Sequence, residues 1–276
     1  VLFSLALVLL VEASGAFARP TSQTRGESTP LQREIQAQAA RLSSAAVEER
    51  RDAVTRLGAL RRPESSRAAA AALGDAAAIV RATAARAVLS LGPGEASTLV
   101  LPLLRDREEF VRREAAYALG LTRSKEGVPG LVIALETDKK PSVRGAAAVA
   151  LGQIGDASAA AALMGALSRQ LKATGFLNRV RRRKIEEDEF VRRAAAVSLG
   201  QLGSREAVPE LVETLSSERT PGDVRREAAR ALGLIGDPSA VFALRAALTA
   251  QDPYLSRIAF EALCKIDPSG ANRPAL

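Results

Sequence analysis

Residues 111–120 read "VRREAAYALG", and the same ten-residue frame returns along the chain. "VRGAAAVALG" begins at Val143, "VRRAAAVSLG" at Val191 and "VRREAARALG" at Val224. A weaker copy, "VRATAARAVL", begins at Val80, while "ERRDAVTRLG" at Glu49 and "LSRIAFEALC" at Leu255 fit the same frame. Successive anchors lie 31, 31, 32, 48, 33 and 31 residues apart. A nearly fixed period of this size marks a stacked repeat, in which each copy of one supersecondary unit packs on the next.

Each unit reads as two helices. Val143, Ala147, Leu151 and Ile154 recur at helical spacing and share one face. Gly155 is placed to end that helix in the left-handed conformation. Asp156, Ser204 and Asp237 then stand as N-caps of second helices, and Pro238 takes a first helical position, where its missing N–H costs nothing. Second helices carry apolar residues such as Val208, Leu211 and Leu215. One hairpin of this kind cannot bury both faces, whereas a stack can. The spacing therefore predicts an all-α superhelical solenoid of about seven two-helix units over residues 31–266. Leu31, Ile35, Ala39 and Leu42 form an amphipathic helix that caps the first unit, and the last unit has room only for its first helix, about 253–266.

Composition agrees with thin helical layers. Of 276 residues 47% are hydrophobic, yet only 3% are aromatic, and a thick globular core normally uses more rings. Alanine supplies much of the apolar content, favours helix and lets helices approach closely. The net charge is +8, which permits anionic partners without identifying one. The absence of histidine excludes Ser-His-Asp triads, Cys-His pairs and histidine metal sites. Cys264 is the single cysteine, so neither an intrachain disulfide nor a thiolate cluster can form. No cofactor or metal is expected.

The two ends differ from the repeat. Val1 to Val11 is an apolar run too short to span a bilayer, and Ala16-Phe17-Ala18 fits a small-x-small cleavage pattern. Residues 1–18 are expected to be a signal peptide, or a membrane anchor if residues precede Val1, which makes the mature chain extracytoplasmic, periplasmic or secreted. The polar stretch at 19–30 reads as a linker and 267–276 as a loose tail.

The units resemble HEAT repeats of the short bacterial type, the phycobilin-lyase HEAT-like repeat, over roughly 45–266; "VRxxAAxALGxIGD" carries the likeness. The resemblance implies an α/α superhelix whose second helices line the concave side. It also implies an Asp–Arg ladder between units. Asp75–Arg81, Asp106–Arg112 and Asp138–Arg144 match its six-residue spacing, and Glu186–Arg192 is a conservative variant. Arg219 stands where an acid is expected before Arg225, which predicts a break in the ladder there. The Val-Arg arginines accordingly read as structural first and as ligand-binding second.

Two surfaces are candidates for function, since the fold alone settles none. Along the second helices, paired solvent-side positions hold Ala68 and Ala71, Leu99 and Pro102, Gly130 and Ile133, Ala162 and Gly165, Glu210 and Glu213, then Ala243 and Ala246. A merely solvated face would be mostly charged, so these residues read as an apolar groove with an acidic step near the fifth unit. The competing reading sets the same residues between helices.

The second surface is the insertion within 168–189, where the period lengthens to 48. Leu167 and Leu171 suggest that the second helix of unit four runs on, and Phe176, Val180 and Lys184 suit a short extra helix. The basic cluster Arg179, Arg181, Arg182, Arg183 and Lys184 is followed directly by acidic residues. It reads first as a self-neutralising solvated helix, then as a contact for an acidic protein or anionic lipid, and least as a nucleic-acid patch. Cys264 occupies a slot that is Gly58, Gly120, Gly152, Gly200 and Gly233 elsewhere, and is expected to be a buried helix–helix contact. The chain as a whole reads as a non-catalytic scaffold that binds a protein or peptide partner. A phycobilin lyase-type or chaperone-like subunit and a nucleic-acid binder are the alternatives.

Overall fold

The computed structural model describes residues 28–172 and 184–268. The expected leader, most of the linker, nearly all of the tail and the middle of the insertion lie outside the described residues. Helix α1, Pro30–Arg41, begins at a capping box: Thr29 Oγ1 accepts the Gln32 N–H and the Gln32 side chain accepts the Thr29 N–H. Thr29 and Pro30, expected in the linker, thus start the cap helix. Ile35 and Leu42 pack on the core of the first two units.

Seven units follow as expected. They are α2 Val47–Ala59 with α3 Pro63–Ala70; α4 Ala78–Ala87 with α5 Pro93–Val100; α6 Glu109–Thr122 with α7 Val128–Thr137; and α8 Pro141–Ile154 with α9 Ala160–Ser168. Then come α10 Glu189–Leu202 with α11 Val208–Ser216, α12 Gly222–Ile235 with α13 Val241–Ala247, and α14 Pro253–Ile266 without a second helix among the described residues. The leucines of the periodic face, among them Leu57, Leu119, Leu151, Leu199 and Leu232, are fully buried. Each such burial contributes about 1.5–3 kcal/mol relative to exposure.

Small residues set how closely the first helices stack. A Cβ added at Gly200 would lie 2.8 Å from the Ala231 Cα, and one at Gly233 would lie 2.7 Å from the Ala262 Cβ. Only a hydrogen fits, so the repeated glycine is a packing device. Cys264 fills the same slot in the last unit, but it is exposed. The expectation of a buried contact fails because no further helix among the described residues stacks on α14 to cover it.

Gly155, Gly203 and Gly236 end their helices at φ 75°, 64° and 74°, as the sequence predicts for Gly155. Unit three makes the same turn with Arg123 at φ 53°, where a Cβ is disfavoured. Asp156 and Asp237 accept the N–H groups of Ser158 and Ser239, each starting a single 3₁₀ turn ahead of the second helix. Ser204 holds the equivalent position but its side chain makes no capping bond, which corrects the sequence expectation.

The insertion departs further from its reading. Helix α9 stops at Ser168, and Gln170–Lys172 (β1) pairs antiparallel with Lys184–Glu186 (β2), Leu171 opposite Ile185. The second helix does not run on through Leu171, and Lys184 lies in a strand. The reason is at the base of the stem. Arg169 Nη1 donates to the Leu135 carbonyl at 3.0 Å, and the Glu187 N–H donates to the Arg169 carbonyl at 2.9 Å. These bonds turn the chain out of the helix and close the insertion on itself. Arg179, Arg181, Arg182 and Arg183 lie outside the described residues.

Candidate functional site

The ladder arginines are the best-determined polar feature. Arg50 holds Asp75 with Nε at 2.7 Å and Nη2 at 2.8 Å, and Arg81 holds Asp106 at the same two distances. Arg112 holds Asp138 at 2.7 and 3.1 Å, and Arg144 holds Glu187 with Nε at 3.0 Å and Nη2 on the other oxygen. Each fork is bidentate, which suits the planar guanidinium. The six-residue spacing has a different meaning from the expected one. Arg81, Arg112 and Arg144 donate Nη1 to the backbone carbonyls of Asp75, Asp106 and Asp138, at 2.8, 2.9 and 2.8 Å. Their charges pair with the acid of the next unit instead. One arginine therefore clamps its own turn and the following one.

The aspartates have a second duty. Asp75, Asp106 and Asp138 each accept a backbone N–H two residues on, from Ala77, Glu108 and Lys140. The Arg50 hydrogen bond holds Asp75 below the usual carboxylate range against the opposing effect of burial, and the Arg81 bond does the same for Asp106. Burial pushes Asp138 upward, but the Arg112 fork and the Lys140 N–H outweigh it and leave the carboxyl lowered.

Past unit four the pattern changes. Glu187, not Glu186, is the acid that continues the ladder, and its side chain is wholly buried between Arg144 and Arg169. Glu186 pairs with Arg192 of its own unit and stays exposed. Arg192 reaches forward only to the Thr220 hydroxyl, at 3.4 Å, and its Nε donates to the Leu167 carbonyl. Arg225 Nε donates to the Leu215 carbonyl at 2.9 Å, and Arg225 forms no ion pair among the described residues. The break predicted before Arg225 is present in the geometry.

Grooves open between successive second helices. The one between α5 and α7 has a volume of about 700 Å³ and is lined by Leu101, Pro102, Gly130, Ile133 and Ala134, with Asp138 at its edge. Between α9 and α11 a smaller groove of about 140 Å³ gathers Glu186, Arg192, Glu210, Glu213 and Thr220. Between α11 and α13 a third, about 680 Å³, contains Glu218, Arg225, Ala243, Ala246 and Ala250.

The row assigned to the concave face divides in two. Ala71, Pro102, Ile133, Gly165, Glu213 and Ala246 are exposed, Ile133 by 52%. Their partners in each pair lie deeper. Leu99 is half-buried against the core, Glu210 is half-buried, and Ala162 and Ala243 are buried, at 8% and 7% exposure. Ala162 and Ala243 therefore belong to the helix packing and not to an open surface. The helical phase explains this: a step of three residues turns about 300°, so the two members of a pair diverge by about 60°.

Sequence reasoning missed a groove on the other layer. About 530 Å³ in volume, it crosses α4 from α2 to α6 over Val54, Ile79 and Phe110, flanked by Arg61, Arg86 and Arg113. A signal was present: unit two lacks the Leu-Gly ending of its frame, and α4 has 10 residues where α6 has 14. Among the described residues no acid or cysteine group could hold a metal ion, and no helix is long and apolar enough to cross a membrane.

A sequence profile of HEAT repeats matches residues 97–172 and 177–264, more than half of the chain. The chain belongs to the HEAT-repeat family. Solved structures share this HEAT architecture. The complex of CpcE and CpcF of phycocyanin lyase from Nostoc sp. PCC7120 is 23% identical at a TM-score of 0.50, covering 90% of this chain and 92% of that one. The E. coli protein YibA is 19% identical at 0.59, over 86% of this chain and 82% of that one. An engineered protein is 22% identical at 0.53, over 84% and 68%. At these identities the likeness concerns the fold of the HEAT solenoid. No curated protein matches the chain.

Proposed function

We propose that this HEAT solenoid is a non-catalytic scaffold that docks a protein or peptide segment on its second-helix face. The observation that carries the reading is the groove between α5 and α7, where Ile133 stands exposed beside Pro102 and Leu101. A large aliphatic side chain in an open apolar groove is an anchor point for a partner's apolar side chain. The charged insertion, including Arg179, Arg181, Arg182, Arg183 and Lys184, adds a contact for acidic groups of the same partner. Reading residues 1–18 as a leader places this binding outside the cytoplasm, which the mass of the mature N-terminus tests.

Leu99 is unsuited to mutation because it packs on the core, so the test uses Pro102→Arg with Ile133→Arg. Both side chains are exposed, and the double variant is expected to keep its helical circular dichroism and its unfolding midpoint. Partners captured by the wild-type protein are expected to be lost from it. A folded double variant that retains every partner sinks the proposal.

A further inference from the structure

The break in the ladder leaves one arginine with a task undone. Six units carry an arginine in the same register: Arg50, Arg81, Arg112, Arg144, Arg192 and Arg225. The first four hold a carboxylate of the following unit, 25, 25, 26 and 43 residues on. Arg192 shows what happens when that acid is missing. Its Nε turns to the Leu167 carbonyl, and its Nη1 takes a carboxylate from Glu186, six residues upstream.

Arg225 makes the same turn, with Nε on the Leu215 carbonyl. Neither source of carboxylate is available to it. Ala250 occupies the following unit's acid position, and Arg219 stands six residues upstream where Arg192 has Glu186. Its Nη groups therefore carry no carboxylate, and Arg225 lines the groove of about 680 Å³ between α11 and α13. Two carboxylates share that groove. Asp252 is already engaged by Arg226 at 2.8 Å and by the Tyr254 N–H at 3.0 Å. Glu218 is exposed, where solvent screens its charge.

We propose that Arg225 is a carboxylate receptor, and that the groove between α11 and α13 takes an acidic side chain of a bound peptide in the place the ladder acid vacates. That the carboxylate is borne by a peptide rests on the scaffold reading above. With Nε on the Leu215 carbonyl, the two Nη groups offer a carboxylate an end-on, two-point contact that a lysine would lack. The small side chains of Ala246 and Ala250 leave room for the incoming chain.

The experiment follows the arginine side-chain N–H resonances of the full chain by NMR. Three probes are titrated: the capped peptide Ac-Ala-Ala-Glu-Ala-Ala-NH2, its Gln analogue and acetate. Saturable shifts of the Arg225 signals with the Glu peptide are expected, with the Gln analogue silent and acetate weaker by about tenfold. Ala250→Asp supplies a carboxylate within the chain at the forward position of Arg225, so it is expected to weaken the peptide by about tenfold or more while the protein stays folded. Arg225→Gln is expected to abolish binding. No saturable response in the wild type, or full binding by Ala250→Asp, overturns the receptor. Equal affinity for acetate and peptide overturns the peptide assignment. Loss of partners from the Pro102→Arg, Ile133→Arg protein is read separately, so the two proposals fail independently.

Discussion

The first four units and the last three are built from one repeat, yet they treat their arginines differently. From Arg50 to Arg144 each guanidinium is closed by a carboxylate of the next unit, and Glu187 is sealed completely. At Arg192 and Arg225 the helices still stack through Gly200 and Gly233, but the charge contact has been replaced or lost. Stacking therefore depends on apolar faces and glycine slots, which continue through both halves. The ladder sets the electrostatics of the grooves beside it: apolar between α5 and α7, polar between α11 and α13.

The sharpest way to break the comparison is Glu187→Ala. It strands Arg144, whose side chain is 6% exposed, and removes the partner of Arg169 at the insertion's base. Denaturant unfolding is expected to show a loss of about 3–5 kcal/mol. Arg225→Gln loses one hydrogen bond to the Leu215 carbonyl and no ion pair, and is expected to cost about 0.5–1.5 kcal/mol. Equal costs at the two sites would end the distinction between the halves.

Gly200→Ala is expected to cost about 1–3 kcal/mol, because the new methyl meets the backbone of Ala231. Gly120→Ala in the first half is expected to fall in the same range, since its Cβ would lie 2.8 Å from the Ala150 Cα. A large difference between the two would show that packing also differs between the halves.

Acid acts on the ladder through its carboxylates. Asp75, Asp106 and Asp138 have folded pKa values below their unfolded ones, so their contribution is complete above about pH 4 and is lost as pH falls through the lowered values. Replacing Asp106 with Asn is expected to flatten the fall in stability below about pH 4. Thermal melts across that interval measure it; an unchanged slope would remove the rung from the account.

The smallest effect reverses the comparison. Units four to six end their first helices on glycine at positive φ, while unit three uses Arg123. Arg123→Gly is expected to stabilise by about 0.5–1 kcal/mol, read as a raised midpoint.

Much of this was legible in the sequence. The period places the units, the apolar spacing places Leu151, Leu211 and Leu215 in the core, and Gly155 marks a helix end, because each depends on contacts within a unit or on one identical neighbour. The positions of Pro102, Gly130 and Ile133 on one groove were legible too. Ala162 and Ala243 were misplaced because residues three apart on a helix point in different directions, and only the neighbouring helix decides which is covered. Cys264 looked buried by analogy with its glycine slot, yet burial there belongs to the next helix and not to the residue itself.

The sequence by itself determined that the chain is a HEAT-type stack, where its period slips and which arginines lie in one register. Local spacing and propensity carry that information. Only the tertiary structure decided that each ladder arginine reaches forward to the next unit, that Glu187 and not Glu186 closes it, and that Arg225 is left open. Those outcomes depend on distances between units, which no spacing within a unit contains.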